Sequence, residues 1–450
     1  MKIKLLVIFL FCHFFISPVE IFGQQAMDVS ALTLEECVEI ALDNNLNLKR
    51  ASLNLESVEA SLLEARGQML PTFSTGLSSG YRWGRSINPV TNLFETRRIG
   101  NVNISASANL PIYAGRQIQN RLKQSEVDLE SNRLNVEATE NDISLNAINL
   151  FINVAFAKEQ LNIARSQLNT LEVQLALTNS RVRAGDLPMA ELLDIQAQQA
   201  TSELEVINAS NNYRIARLNL SQFLLLPFTD DFGIFIPEVS VEDLVLGVAT
   251  VEEIYSEALG HLPQVRAAEL EVESAEYGIK IAQGAFFPTL GVNANVFSNY
   301  VDQAALGPVD PVFRQFENNL SQTVNMALNI PVFSNFRNRA GLQRARVQKR
   351  LTEVAELETR NQLRQDIETA YTSAYASRQA FRSSEMRVDA LREAFRMAQQ
   401  RFEVGAINAT DFQIAQNNLF NAEADLLTAK YEFVFRMKVL DFYLGKPLTL

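Results

Sequence analysis

The sequence predicts a mainly α-helical protein in which long antiparallel coiled-coil hairpins carry two β-hairpins. Three observations predict this fold class. Residues 33–80 recur 217 positions later, and from Asn109 onward the recurrence continues at an offset of 220. Residues 116–184 and 342–404 contain no glycine or proline, so each run can form one helix of about 100 Å. Between these helical segments, polar and apolar residues alternate with the period of a β-strand.

The recurrence is far longer than a solenoid repeat, and it therefore divides the chain into two structural halves. Thr33 returns as Thr250, and Gly185 returns as Gly405. We predict a signal peptide over 1–23, a first repeat over 24–240 and a second repeat over 241–450.

The first residues have the pattern of a secretory signal peptide. Lys2 and Lys4 precede a nearly unbroken apolar run from Leu5 to Ile16. This run is shorter than the roughly 20 residues that a membrane-spanning helix needs. We therefore expect cleavage near Gly23 or Ala26 and export from the cytoplasm.

The charge and the residue inventory exclude several classes of function. The formal net charge is −12 at pH 7, which argues against binding to nucleic acid. Outside the predicted signal peptide, Cys37 is the only cysteine and His261 is the only histidine. An intrachain disulfide, a zinc site, a Cys–His pair and a serine triad are therefore excluded. The sequence predicts no catalytic residue, no cofactor and no metal site.

Each half begins with a capping-box sequence, at Thr33 and at Thr250, and the helix that follows ends before a proline, Pro71 or Pro288. The predicted elements of the first half are helix 33–69, β-hairpin 72–112 with a polar loop over about 84–99, long helix 114–184 and return helix 188–226. Those of the second half are helix 250–286, β-hairpin 289–332 with a loop over about 301–318, long helix 336–404 and return helix 409–444.

The strand segments alternate between apolar and polar residues, as Val102 and Ile104 do with Asn103 and Ser105. Alternation with aromatic ends is typical of transmembrane β-barrels, although a soluble hairpin that lies on a core alternates in the same way. The predicted membrane-interface aromatic residues are Tyr81 and Trp83 at one end, and Phe286, Phe287, Tyr113 and Phe333 at the other.

A seven-residue apolar repeat runs along both long helices and is typical of a coiled-coil seam. No metal- or cofactor-binding residues accompany it, so we interpret it as a packing surface. The repeat reads Ala147, Val154, Leu161, Leu168, Leu175 and Val182 in the first half, and Ile367, Ala374, Phe381, Val388, Phe395 and Phe402 in the second.

Both long helices end at a glycine, Gly185 or Gly405, where a left-handed helix cap is expected. The return helix is about half as long as the long helix, and so is the helix before the β-hairpin. Each half is therefore predicted to be a long helical hairpin with a β-hairpin at one end and a tight turn, the tip, at the other.

Together these features resemble the TolC-like outer-membrane efflux factor family. The likeness rests on the duplication, the signal peptide, the glycine tips, Pro-Thr before the strands at Pro71 and Pro288, and the Leu-Pro or Ile-Pro pairs after them at Pro111 and Pro331. It covers about residues 30–447. The resemblance implies a passive duct in the outer membrane of a Gram-negative bacterium, with a long periplasmic extension, rather than an enzyme.

Four strands cannot close a barrel, and open sheet edges are not tolerated in lipid, so the chain must oligomerise if its hairpins enter a membrane. The resemblance implies a homotrimer, in which a twelve-stranded transmembrane β-barrel continues into an α-barrel tunnel. It also implies three kinds of contact: outer-membrane lipid, a periplasmic adaptor (membrane fusion protein) and an inner-membrane pump of an efflux or type I secretion system.

The resemblance further implies that acids just past each tip form a gate, here Glu191, Asp194 and Asp411. A ring of such acids would attract cations and respond to pH. Ile414 stands where the second half would match Asp194, so the halves differ. Acids are also favourable near helix N-termini, and both interpretations stay open here. The implied adaptor-contact residues are Arg181, Gly185, Asp186, Pro188, Arg401, Gly405 and Asn408.

A different class also stays open at this point, a secreted or periplasmic coiled-coil scaffold or adhesin with surface β-hairpins. The repeated strand alternation with aromatic ends favours the duct, because a scaffold does not need that pattern.

Overall fold

The computed structural model describes residues 31–87, 93–236, 250–302 and 311–446. The predicted signal peptide over 1–23 and part of each predicted interstrand loop lie outside these residues. Within them the chain forms nine α-helices and four β-strands, and the mainly helical fold class is confirmed. In order they are α1 Leu34–Asn44, α2 Leu46–Gly67, β1 Thr72–Ile87, β2 Phe94–Ala114, α3 Gln117–Ala184, α4 Met189–Phe223, α5 Val251–His261, α6 Pro263–Gly284, β3 Thr289–Asp302, α7 Val312–Asn318, β4 Ser321–Asn329, α8 Arg337–Glu403 and α9 Ala409–Tyr443.

The helices predicted as single elements over 33–69 and 250–286 are each broken in two. Asn45 has an extended backbone, and its side-chain oxygen accepts a hydrogen bond from the N–H of Asn47 at 2.8 Å, which caps α2. Leu262 is also extended, because Pro263 disfavours a helical conformation in the residue before it. The ends of the long and return helices differ from the predicted ones by at most three residues.

The first hairpin is longer than predicted, since strand pairing continues through the expected loop over 84–99 to Ile87 and Phe94. Two cross-strand cation–π contacts stabilise the extension. The guanidinium carbon of Arg85 lies 4.4 Å from the ring centre of Phe94. That of Arg98 lies 4.6 Å from the ring centre of Tyr81.

Part of the second predicted loop, over 301–318, is the short helix α7. It lies against β3 beyond the end of β4. The Gln315 side chain accepts a hydrogen bond from the backbone N–H of Val301 at 3.1 Å, and Asn319 donates one to the carbonyl of Asn299 at 2.8 Å. The helix thereby satisfies backbone groups of β3 that β4 does not reach.

The long helices organise the rest of the chain. α3 contains 68 residues and is about 102 Å long at 1.5 Å per residue. α2 and α4 pack along α3, while α6 and α9 pack along both α8 and α3. The predicted heptad seams are confirmed by burial at Ala147, Val154 and Leu161 in α3, and at Ile367 and Val388 in α8.

The core of the first half lies near the middle of α3, where α1 and the end of α4 meet it. The side chain of Asn44 donates a hydrogen bond to the carbonyl of Leu224 at 3.0 Å, which fixes the α4 end beside the α1–α2 break. Phe151 and Phe232 are fully buried there. Cys37 is also buried, and burial raises the pKa of its thiol to about 12. The Cys37 thiol therefore stays protonated and unreactive at ordinary pH.

Candidate functional site: the strand sheet and the helix tips

The four strands form one antiparallel sheet in the order β1-β2-β3-β4. Phe73, Leu77 and Trp83 of β1 share one face of the sheet, and each is more than 70% exposed. The register carries this apolar face across the sheet to Val296 of β3 and Val324 of β4. A β-sheet whose apolar side chains face away from a protein core is suited to contact with lipid.

The opposite face of the sheet is polar. Ser74 Oγ lies 2.7 Å from Ser107 Oγ across the β1–β2 pair. Asn103 donates a hydrogen bond to Ser78 Oγ at 3.3 Å on the same face. Small hydroxyl and amide groups of this kind suit a surface that faces water.

Aromatic residues mark both ends of the apolar face. Tyr81 and Trp83 are exposed at one end, with ring centres 5.9 Å apart. Tyr81 pairs with Gly100, and β2 runs from there roughly 13 residues to Tyr113, about 43 Å along the strand. With the strand tilt of about 40° usual in barrels, this spans about 33 Å, close to the thickness of a bilayer core. The other exposed aromatic residues predicted for this second end, where the strands meet the helices, are Phe286, Phe287 and Phe333.

Among the strands that the structure describes, β1 and β4 are the two edges of the sheet, and both edges are open. All nine residues of β4 are exposed. Unpaired backbone groups along a strand edge are not tolerated inside a bilayer. The sheet of a single chain therefore needs further strands at both edges if it lies in lipid.

Both tips adopt the predicted left-handed turn. Gly185 has a φ of 85° and Gly405 a φ of 74°. In the first tip, the N–H of Asp186 donates to the carbonyl of Arg181 at 2.9 Å, and that of Gly185 donates to the carbonyl of Val182 at 3.0 Å. The same pair of hydrogen bonds recurs in the second tip between Arg401, Phe402, Gly405 and Ala406. This Schellman arrangement satisfies the last carbonyls of α3 and α8.

The return helices start differently at the two tips. Asn408 accepts a hydrogen bond from the N–H of Asp411 at 2.8 Å and so caps α9. Pro188 precedes α4 and provides no side-chain cap. The predicted adaptor-contact residues of each half therefore lie within one compact turn. The second turn has a side-chain cap at the start of its return helix, and the first turn does not.

The predicted gate acids lie in the first turns of the return helices. Glu191 and Asp411 occupy the first turn of α4 and α9, and Asp194 lies one turn further along α4. Asp194 and Asp411 are exposed. One carboxylate oxygen of Glu191 is buried and has no hydrogen-bond partner among the described residues.

In the ranges that the structure describes, no three or more His, Cys, Asp or Glu side chains are placed to hold a metal ion. None of the described helices combines the length and the apolar character needed to cross a membrane.

Near the tips, a cavity of about 340 Å³ lies between the two helical hairpins, and the sequence did not predict it. The ring of Phe412 lies 4.8 Å from that of Phe402 and 5.4 Å from that of Phe395, centre to centre. Phe395 and Phe402 belong to the predicted seam, whereas Phe412 was missed. Its position in the first apolar turn after the Asn408 cap is the signal that could have found it. The cavity is also lined by Val173, Leu177 and Ile195.

Comparison with known proteins agrees with this geometry. The family model for outer membrane efflux proteins matches residues 37–224 and 254–446. The cobalt-zinc-cadmium resistance protein CzcC of Cupriavidus metallidurans is 23% identical over 435 residues, which cover 96% of this chain and 93% of that protein. The pyoverdine export outer membrane protein OpmQ of Pseudomonas putida is 22% identical over 408 residues, covering 87% and 81%. A crystal structure of CusC, from work on its transmembrane channel formation, matches with a TM-score of 0.79 at 16% identity over 92% of both chains.

Together with the family match, a sheet with one face suited to lipid, joined to helices of about 100 Å, identifies a channel protein of the outer membrane with a long periplasmic extension. The chain belongs to the outer membrane efflux protein family, because the matched segments span most of both repeats. The predicted function as an outer-membrane efflux or secretion channel is confirmed. The scaffold or adhesin alternative receives no support from these comparisons.

The tip glycines generate a testable prediction. Gly185→Val forces a side chain into the left-handed region, which costs about 1–2 kcal/mol. Opening of the last turn of α3 should therefore become about 5–30 times more frequent. Hydrogen exchange of peptides that cover the tip, followed by mass spectrometry, measures this. Gly341→Ala is the control, because Gly341 lies inside α8 with open space around it and no positive φ, and should not speed exchange. Unchanged exchange in Gly185→Val would contradict the prediction.

Proposed function

We propose that three copies of the chain form a passive exit duct, which carries substrates from a periplasmic adaptor and an inner-membrane pump to the outside of the cell. Each chain contributes four strands to a twelve-stranded barrel and its long helices to a periplasmic tunnel. The observation that carries the proposal is the open-edged sheet with an apolar face. Its edges β1 and β4 require partner strands in lipid, and four strands are too few to close a barrel.

One side of α8 is also left uncovered by the other described parts of the chain. Val347, Leu351, Val354 and Leu357 form a stripe along α8, and each is 44–57% exposed. Their spacing places them on one face of the helix. A stripe of this kind, on a chain that works in water, requires cover from another surface.

The first half indicates what covers this stripe. Ser131, the equivalent of Leu351, is buried against α6, and its hydroxyl donates to the carbonyl of Ala267 at 3.3 Å. The counterpart of α6 in the repeat is α2. This supports a contact between α8 of one chain and α2 of the next, alongside the strand pairing.

The trimer is tested by the mass of the purified mature protein in detergent, measured by light scattering with correction for bound detergent. We expect the mass of three chains, because both the sheet edges and the α8 stripe need a second copy. A monomer that stays soluble without detergent would contradict the duct.

The relatives are named for different compounds, one for resistance to cobalt, zinc and cadmium and another for export of pyoverdine. This variety supports a duct in which the pump, rather than the channel wall, selects the substrate. Membership of a family of outer membrane efflux proteins supports a chain that conducts substrates without catalysis.

We assign the gate to Glu191, Asp194 and Asp411, because these acids follow the tips where three chains would converge. Three copies of Asp194 and Asp411 would concentrate negative charge at a narrow opening. The electric field of such a ring attracts divalent cations and opposes their release. The exposure of both carboxylates within a single chain supports this role.

Replacing the gate acids in Asp194→Asn/Asp411→Asn should weaken block of the channel by divalent cations. We expect the concentration that gives half-block to rise about tenfold, which corresponds to about 1.4 kcal/mol. Single-channel conductance in planar bilayers, with magnesium or cobalt on the tip side, measures the block.

Glu203→Gln/Glu385→Gln is the matched control, since it removes the same charge from α4 and α8 further from the tips. Block should be unchanged in this control. Equal block in the Asp194→Asn/Asp411→Asn variant and the parent chain would rule out the gate.

We assign the adaptor contact to the two tip turns, from Arg181 to Pro188 and from Arg401 to Asn408. They lie at the ends of the helices furthest from the sheet, and each forms one fixed turn. A rigid, exposed turn at the end of a hairpin suits a docking surface that does not rearrange on binding.

Gly185→Val/Gly405→Val should abolish export in cells while trimers still assemble in the outer membrane, because the change is confined to the tips. Cellular resistance to an exported compound, together with the amount of trimer in outer-membrane fractions, measures both effects. Gly341→Ala should leave both unchanged. Retained export by the double variant would count against the assignment.

A further inference from the structure

The two β-hairpins of the chain have the same strand register. β1 pairs with β2 so that Thr72 lies opposite Asn109, and β3 pairs with β4 so that Thr289 lies opposite Asn329. These two pairs are related by the offsets of the sequence repeat, 217 and 220. β3 is therefore the structural equivalent of β1, and β4 that of β2, residue by residue.

The backbone beyond the strands supports the same equivalence. Gly115 and Arg116 adopt φ values of 61° and 62° before α3. Asn335 and Phe336, which lie 220 residues later, adopt 47° and 61° before α8. Left-handed conformations are uncommon outside glycine, so their recurrence at matched positions fixes the offset on this side of the hairpins.

The contact between β2 and β3 joins the second strand of one half to the first strand of the other. Asn109 lies opposite Asn293, Ser107 opposite Asn295, and the pairing extends to Gly100. The equivalent contact would join β4, the second strand of its half, to a copy of β1. Within one chain these strands are the two opposite edges of the sheet, about 14 Å apart at the usual strand spacing. The β1 that β4 meets must therefore belong to another chain.

We propose that β4 of one chain pairs with β1 of a second chain in the register of the β2–β3 contact. The repeat offsets then place Ala327 opposite Ser78 and Asn325 opposite Gly80 of the other chain. This inference rests on the proposed trimeric duct and specifies the contact that closes its barrel.

The pattern of side chains agrees with this register. It brings Leu328 opposite Leu77 and Val324 opposite Tyr81, all on the apolar face. A shift of one residue would reverse every side chain and place polar residues against apolar ones. A shift of two residues would keep the faces, and it is the equivalence with β2–β3 that excludes it.

Disulfide formation between chains tests the register. Directly opposite residues of antiparallel strands have Cα atoms about 4.5–5.5 Å apart, within the range that a disulfide bridges. Residues displaced by two positions are about 7–8 Å apart, beyond that range. The same four substitutions, Ser78→Cys, Gly80→Cys, Asn325→Cys and Ala327→Cys, can therefore be combined into matched and mismatched pairs.

The matched pairs are Ser78→Cys/Ala327→Cys and Gly80→Cys/Asn325→Cys. The mismatched pairs are Ser78→Cys/Asn325→Cys and Gly80→Cys/Ala327→Cys. All four positions face the polar side of the sheet, so their exposure to an oxidant is comparable. A side chain at Gly80 meets only Asn101 Oδ1, at 3.9 Å from its Cβ, which is ordinary contact. Cys37 remains in every variant because it is buried.

In outer-membrane preparations treated with a mild oxidant, both matched pairs should form reducible dimers and trimers on denaturing gels. The mismatched pairs should cross-link at least about tenfold more slowly, because their sulfur atoms do not reach each other. Single-cysteine variants should give no such ladder.

Faster cross-linking of the mismatched pairs would overturn the register. So would the absence of cross-links in both matched pairs while the same samples have the mass of trimers, and the duct would then stand without this register. A monomeric mass for the parent chain would instead overturn the duct itself, so the two failures are distinguishable.

Discussion

The backbone groups at the edges of a four-stranded sheet are the constraint on which the rest of this structure depends. Inside a bilayer no water replaces a missing strand, so β1 and β4 require partner strands, which the proposed assembly takes from other copies of the chain. The apolar face that contains Phe73 and Leu77 can contact lipid only when the edges of the sheet are paired in a closed barrel. The stripe around Leu351 on α8 is exposed in the single chain, and the proposed assembly would cover it as well.

The two halves of the repeat meet this constraint together. α6 packs along both long helices, and β3 pairs with β2, so the second half covers one side of the first. Among the described residues, the equivalent contacts of the other side have no partner. In a duplicated chain of this kind, the contact between the two halves has an equivalent between the second half of one copy and the first half of another. The contact within one chain therefore predicts the contact between copies.

The tips serve a different purpose from the sheet. Gly185 and Gly405 end the long helices with a left-handed residue, which turns the chain within a few residues and starts each return helix at a fixed place. The acids of the proposed gate therefore follow the turn closely. The sheet and the tips are about 100 Å apart, and the uninterrupted helices set that distance.

The sequence by itself determined the repeat, the helix lengths, the glycine turns and the alternation of the strands, because each depends on residues close together in the chain. Tertiary structure alone decided the extension of β1 by the Arg85–Phe94 contact, the placement of α7 and the cavity beside Phe412. It also decided the register between β2 and β3, which brings Gly100 opposite Asp302. Contacts between residues so distant in the chain depend on how whole elements pack, and the local periodicity of the sequence does not predict them.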